Sequence, residues 1–430
     1  MNPLVALPYG IAGQLARFGT ALAPATGGKV ARSLHARRGI RARYQAWGGA
    51  HRDRSRPLLW MHAPSVGEGL QAKPVIALLR ARHPALQIAY TFFSPSAEKF
   101  AAGIGADFAD YLPFDTHGDA AAVLDSLRPT ALIFSKLDVW PTLVSEAAAR
   151  SVRLGMISAT LAEESGRSSW LASMLLGDAY RALDAVGTID EHDGARLTAL
   201  GVRRDRITVT GDTRYDQVWA RAQGADRSSA LLSPFADERP TLVAGSTWPV
   251  DEAVLLEAWR TVRRRIPGAR LIIAPHEPVA SHLAPLEQYA AAHGMRFARL
   301  GVDGERDAEV VLVDRVGILG DLYAVATVSY VGGGFHAAGL HSVLEPAAFG
   351  SPVLFGPRHT ASRDAGLLLA SGGGFSARST DELAVRLLEL LTESEARAAA
   401  GSQALAVVEQ GLGAAEKSAA LVEQLLAATA

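Results

Sequence analysis

Six stretches place charged residues, hydroxyls or glycines where an apolar run ends, and each offers a different piece of chemistry. In "WMHAPSVGEGL" Glu68 stands between the apolar run Pro57 to Met61 and a helical pattern starting at Gln71, so a strand-to-helix turn is predicted to carry it. Free N–H groups and the helix dipole favour an anion at such a turn, so Glu68 can be a cap and nothing more. A carboxylate at a strand end of an open α/β sheet can also take a proton from a bound hydroxyl. "FSKLDVWP" sets Lys136 and Asp138 just past another apolar run, where packing alone does not call for charge. They are either a surface ion pair or part of a site.

The other four stretches suit a nucleotide. "AGSTWPVDE" puts Gly245, Ser246 and Thr247 between a predicted strand and a helix, where N–H groups and hydroxyls can cradle a phosphate or simply cap the helix. "YVGGGFHAAGLHSVLEP" follows a strand with three glycines, including Gly333 and Gly334, and is predicted to leave backbone exposed for close approach of a ligand. A helix is predicted to open at "GLHSVLEPAAFG", with His341 and Ser342 near its start for a leaving phosphate. Glu345, one turn on, can accept both hydroxyls of a ribose or stand near Arg358 as an ordinary helix carboxylate. "APHEP" adds His276 at a strand end on the same side of the sheet, in a site or as a structural histidine. In "RVGILGDLYAVA", Gly317 begins a turn that can read a base edge.

The elements that must position these residues form two series. From Leu58 to about Gly211, "LLWMH", "LQIAYTFF", "DYLPF", "ALIFS", "RLGMIS", "AVGTI" and "ITVTG" alternate with helical stretches, as strands of a parallel sheet covered on both faces do. The rhythm stops at a polar interval, 221–240, and restarts with "TLVAGS", "RLIIAP", "VVLVD", "VSYVGG" and "PVLFGP". The expected division is an N-terminal segment 1–56, a first Rossmann-like domain 57–220, a linker 221–240, a second Rossmann-like domain 241–405 and a terminal helix 406–430. Two doubly wound α/β domains facing a central cleft put the site at strand C-terminal ends.

Composition bounds the chemistry. The 430 residues include no cysteine, which excludes disulfides, thiolate catalysis and Cys-based metal sites. The twelve histidines lack the tight pairings of a zinc site, and neither a metal nor a cofactor is assigned. Between Lys29 and Arg56 nine Lys/Arg stand against one acid, Asp53, after an apolar stretch with Leu4, Leu7, Ile11, Leu15 and Phe18 at helical spacing. That order suits a chain lying on an anionic leaflet, or a solvated basic loop. No apolar run reaches the ~18–20 residues of a membrane span. Nucleic acid is not an expected partner, because no aromatic residues are interleaved through a wider basic surface.

Taken in order, "SVGE", "FFSPS", "YLPFDT", "GDTRYD", "AGST", "GGGF", "LHSVLEPAAFGSPVLFGP" and "GGGFS" resemble the 3-deoxy-D-manno-octulosonic acid (Kdo) transferases of lipopolysaccharide biosynthesis across nearly the whole chain. The resemblance implies the B-type glycosyltransferase architecture, CMP-Kdo as donor on the second domain and a lipid A precursor as acceptor on the first. It implies inversion without a metal, Glu68 as general base, and a peripheral or monotopic place at the cytoplasmic face of the bacterial inner membrane. It also implies a terminal helix packed back on the first domain. Two departures from the family pattern stand out: Lys136 and Asp138 occupy positions where many members carry Glu, and "AGLHSVLEP" replaces the usual "GGHNxLEP". A related transferase with another sugar nucleotide or acceptor, and a non-catalytic membrane-associated protein that binds a sugar nucleotide, are the alternatives.

Overall fold

The computed structural model describes residues 3–26, 28–161 and 166–428. The chain forms two compact units, residues 1–217 with 412–430, and residues 218–411. Both are Rossmann-like, doubly wound α/β units.

In the first unit the strands are β1 (Leu58–His62), β2 (Gln87–Phe92), β3 (Phe108–Tyr111), β4 (Ala131–Ser135), β5 (Arg153–Ala159), β6 (Ala185–Thr188) and β7 (Ile207–Val209). They lie side by side in the order β3-β2-β1-β4-β5-β6-β7, every pair parallel. β1, β2 and β4 are buried along their whole length, because helices cover both faces and leave no wet side to alternate with. The strand order reverses between β1 and β4, the switch point where the two following turns diverge and leave a crevice.

Four helices frame this end of the unit: α1 (Pro3–Leu22), α2 (Lys29–Ala36), α3 (Ile40–His51) and α4 (Val66–Arg82). α3 buries Ile40 and Tyr44 in the core of the unit. The basic stretch is therefore not a solvated loop. Arg37 is 3% exposed, its guanidinium over the rings of Phe93 and Tyr111 and bonded to the Leu112 carbonyl. Arg41 pairs with Asp119, and Arg43 with both oxygens of Asp110 at 2.6 and 2.8 Å. Arg38 donates to the carbonyls of Thr20, Ala21 and Ala23, which terminate α1. Leu7, Ile11, Leu15, Phe18 and Leu22 form an exposed stripe along α1, with Phe18 74% exposed. The side chain of Leu4 lies outside the described residues. Among the described residues no helix is long and apolar enough to cross a membrane.

The second unit contains β8 (Thr241–Thr247), β9 (Arg270–Pro275), β10 (Phe297–Arg299), β11 (Val310–Leu312), β12 (Val328–Val331), β13 (Val353–Phe355) and β14 (Gly374–Ser376), in the order β10-β11-β9-β8-β12-β13-β14, all parallel. Its switch point lies between β8 and β12. Residues 221–240 belong to this unit, because Leu232 and Phe235 are apolar and bury themselves beside Val243 and Ile272. The helix Ala414–Ala427 returns to the first unit, where Leu421, Val422 and Leu425 join its core and Asp216 caps the helix start through the N–H groups of Gly413 and Ala415.

Candidate functional site

At the switch point of the first unit the chain leaves β1 through Ala63 and Pro64, and Ser65 caps α4 by accepting the N–H of Gly67. Glu68 stands three residues after the cap, the acidic position of a capping box. Its carboxylate takes the Ser65 hydroxyl and, on the other oxygen, faces Lys136 Nζ at 3.4 Å. The Ser135 hydroxyl holds the Glu68 carbonyl at 2.9 Å, so the end of β4 is bonded to the first turn of α4. Lys136 has φ 68°, the left-handed region that costs a non-glycine residue ~1–3 kcal/mol. Its N–H is anchored on the Ile157 carbonyl at 2.9 Å, so the strain is maintained by the sheet. Glu68 and Lys136 thus come together as a partly exposed ion pair at the crevice.

Asp138 turns to other partners. It meets His62 Nε2 at 3.4 Å, accepts the Trp140 indole N–H at 3.1 Å and pairs with Arg167 at 3.5 Å. Burial pushes its pKa upward, but the His62 bond and charge, with Arg167, outweigh that and hold it below the ordinary carboxylate value. His62 is buried and tied through Nδ1 to the hydroxyl and carbonyl of Thr91. Sequence reasoning missed His62, whose only signal is a polar residue ending an apolar strand. Tyr90, also missed, is fully buried with its hydroxyl against Gly69 and no hydrogen-bond partner among the described residues.

The second unit repeats this logic with different groups. β8 continues through Thr247, so Gly245, Ser246 and Thr247 are part of the strand and not of a turn beyond it. Gly245 has no room for a Cβ beside the Tyr323 hydroxyl, and the Thr247 hydroxyl is already spent on Glu252 at 2.8 Å. Ser246 is half-buried and, like Lys136, sits at positive φ, 54°, where the register with β9 shifts. A strained residue thus stands at each switch point.

The glycine loop is packed, contrary to the exposed backbone expected from sequence. Gly332, Gly333 and Gly334 are buried, and a Cβ on any of them would collide with the backbone of Ser246, Gly339 or Gly356. One side chain holds the loop in place. Asp251, fully buried, accepts the N–H groups of Trp248 (3.0 Å), Gly333 (2.8 Å) and Phe335 (3.0 Å) and the Tyr330 hydroxyl (3.2 Å). Sequence reasoning missed Asp251 because an acid in the first turn of a helix is unremarkable when read alone.

The helix expected to begin near His341 is a single turn, Leu344–Ala347. Pro346 within it and the tight turn at Gly350 leave the segment no length to continue. His341 precedes it, its N–H on the Gly332 carbonyl at 3.1 Å, and Ser342 is exposed. Trp248 organises the surroundings. Its ring stacks on His336 (4.1 Å between centroids) and His276 (4.7 Å), and His276 stacks on His341 (4.4 Å). The indole N–H donates to His341 Nε2 at 3.1 Å, which requires that nitrogen to be unprotonated. Burial, with His276 and His336 nearby, lowers the His341 pKa to about 4 and keeps it so. Trp248 and His336 were not singled out from sequence, though they lie within "AGSTWPVDE" and "YVGGGFHAAGLHSVLEP".

Glu345 faces Arg221 and Asp321, which pair with each other at 2.9 Å, and not Arg358. Burial raises its pKa above the ordinary value, with Asp321 adding to the rise and Arg221 opposing it. No hydrogen bond or ion pair engages its carboxyl among the described residues. Gly317, exposed at φ 92°, gives its carbonyl to Arg221 at 3.1 Å, so Gly317 and Glu345 share a neighbour. Among the described residues no group of His, Asp and Glu is arranged to hold a metal ion.

Residues 34–217 match the family model described as 3-deoxy-D-manno-octulosonic-acid transferase (kdotransferase). The chain is 30% identical over 383 residues to the 3-deoxy-D-manno-octulosonic acid transferase of Bordetella pertussis, covering 86% of this chain and 87% of that one. It is 25% identical to the enzyme of the same name from Haemophilus influenzae, over the same shares of both chains. Among solved structures, UDP-GlcNAc 2-epimerase from Neisseria meningitidis superposes with a TM-score of 0.61 at 14% identity, covering 86% of this chain and 99% of that one. That likeness establishes the two-domain B-type glycosyltransferase fold.

Proposed function

Because the chain belongs to the 3-deoxy-D-manno-octulosonic acid (Kdo) transferase family, we propose that it transfers Kdo from CMP-Kdo to a hydroxyl of a lipid A precursor, inverting the anomeric carbon. The observation that carries this reading is the carboxylate of Glu68 at the switch point of the first unit, held by Ser65 and Lys136 and still partly exposed. In the proposed step Glu68 removes the proton of the acceptor hydroxyl as its oxygen attacks. The C–O bond to the CMP phosphate breaks, and the phosphate leaves with both bonding electrons. Lys136 Nζ, 3.4 Å from one carboxylate oxygen, and the Ser65 hydroxyl on the other hold the carboxylate at the crevice. The scheme assigns no step to a metal ion.

The second unit is the proposed donor site. Ser246 and the His341–Ser342 segment would receive the departing phosphate, with His341 neutral and its second nitrogen free to serve as a donor. Glu345 would accept the ribose hydroxyls. A carboxyl pushed upward by burial and engaged by no bond is suited to a ligand that brings donors of its own. The exposed apolar stripe of α1 supports a peripheral place on the cytoplasmic face of the inner membrane. Product analysis with CMP-Kdo and a lipid A precursor tests the activity. A Kdo-extended lipid is the expected product, and no transfer from this donor to this acceptor would refute the reading.

Glu345 gives a separate test with a stability readout. Between the ordinary glutamate pKa and the raised native value, the folded chain binds more protons than the unfolded one, so stability falls as pH rises through that window. Glu345→Gln removes this dependence. Thermal unfolding across that window should show the variant gaining on the parent as pH rises. CMP titration should show affinity weakened about tenfold or more, since a hydrogen bond to a charged group is worth ~1.5–3 kcal/mol. Parent-like CMP affinity would remove Glu345 from the donor site.

A further inference from the structure

Beside the Glu68 turn, α1, α2 and the loops after β2 and β3 enclose an apolar pocket of about 620 Å³. Ligand pockets typically hold ~300–1,000 Å³. Its walls include Ala16, Val30, Leu34, Phe93, Phe114 and Trp140, with Phe93 stacked on Trp140 at 5.3 Å. The polar groups in the wall are occupied by the protein. Asp115 accepts the Tyr9 hydroxyl and the N–H groups of Thr142 and Leu143, and Arg37 donates to the Leu112 carbonyl and the Ser33 hydroxyl. What remains for an occupant is carbon, with one exposed cation, Lys29, among the lining residues.

Two further features say what that occupant is. The pocket is bonded to the proposed catalytic turn, for the N–H groups of Phe93 and Ser94 both donate to the Pro64 carbonyl at 3.0 and 2.9 Å, and Trp140 donates to Asp138. α1 presents small residues, Ala12, Gly13 and Ala16, to the pocket while its bulky stripe of Leu7, Ile11, Leu15 and Phe18 stays exposed on the outside. We propose that this pocket takes one acyl chain of the acceptor lipid, with Lys29 at an anionic group of its head and the sugar hydroxyl carried towards Glu68. The inference rests on the reading above that the acceptor is a lipid. It adds that the enzyme recognises the tail as well as the sugar.

The full chain can be tested with a single-chain anionic phospholipid brominated on its acyl chain, kept below its micelle concentration. Bromine quenches indole fluorescence on contact, so saturable quenching is expected in the parent and should be largely lost in Trp140→Phe. Ala16→Phe, which fills the pocket, should weaken the quenching at least tenfold, and Ala12→Phe does the same from an exposed position should the first variant fold poorly. With transfer as the readout, the filled variant should raise KM for the acylated acceptor about tenfold or more and leave a deacylated acceptor unaffected. Parent-like quenching in both filled variants would overturn the proposal. Lost quenching with an unchanged KM for the acylated acceptor would give the pocket to a bilayer lipid and overturn it equally. If the parent transfers Kdo to neither acceptor, the activity assignment fails, and the quenching alone decides whether an acyl chain enters.

Discussion

Glu68→Gln should lower turnover by roughly 10²-fold or more, with CMP affinity unchanged, because it removes the proposed proton acceptor and leaves every residue of the second unit as it was. The amide keeps the size of the carboxyl and can still accept the Ser65 hydroxyl. It cannot take a proton, and it no longer offers Lys136 a negative charge. Stability should change little, since the Glu68–Lys136 pair is partly exposed and such pairs are worth ~0–1 kcal/mol. Ser65→Ala separates the two roles open to Glu68. It should cost ~1 kcal/mol as the loss of a helix cap while leaving the carboxylate in place, so its turnover should stay well above that of the glutamine variant. Steady-state rates beside thermal unfolding make the comparison. A glutamine variant within a few-fold of the parent would leave Glu68 as the acidic half of a capping box and nothing more.

The sequence made the framework legible wherever residues are buried on both faces. "LLWMH", "ALIFS" and "RLIIAP" match β1, β4 and β9 residue for residue, because a covered parallel strand has no polar alternation to blur its ends. β10 and β14 were not readable. Each has three residues, β10 carries exposed positions and β14 begins in "GGGFS", which reads as a turn. The candidate site was legible as positions and not as contacts. That Glu68 and Lys136 follow strands is written in the pattern, but their meeting depends on β1 and β4 being neighbours, a long-range fact. The same gap misplaced the glycine loop. Three glycines in a row signal close approach, and the backbone they admit is the chain's own at Ser246, Gly339 and Gly356. The basic N-terminal stretch misled in a related way, since the acids that neutralise Arg41 and Arg43, Asp119 and Asp110, lie far along the chain.

Asp251 is where the fold of the second unit and its proposed donor chemistry depend on one side chain. Three backbone N–H groups and a tyrosine hydroxyl converge on a carboxylate with no exposure to water, and two of those N–H groups belong to the loop that carries His336. Removing the acceptor strands two buried donors, the Gly333 N–H and the Tyr330 hydroxyl, and two part-buried ones, the N–H groups of Trp248 and Phe335. A buried donor left unmade costs ~1–3 kcal/mol, so Asp251→Ala should lose at least ~3 kcal/mol after relaxation. Asp251→Asn is the more informative change. Its one oxygen can satisfy part of the set, but its amide nitrogen points donors at donors, so the loop should loosen without the unit unfolding. CMP titration on the asparagine variant, at a temperature where circular dichroism shows it folded, should therefore give affinity at least tenfold below the parent. The Trp248–His341 bond should loosen with it, because Trp248 is itself fixed through its N–H to Asp251. A folded asparagine variant that binds CMP as the parent does would separate the two, leaving Asp251 as a residue of the fold and the donor site independent of the loop it holds.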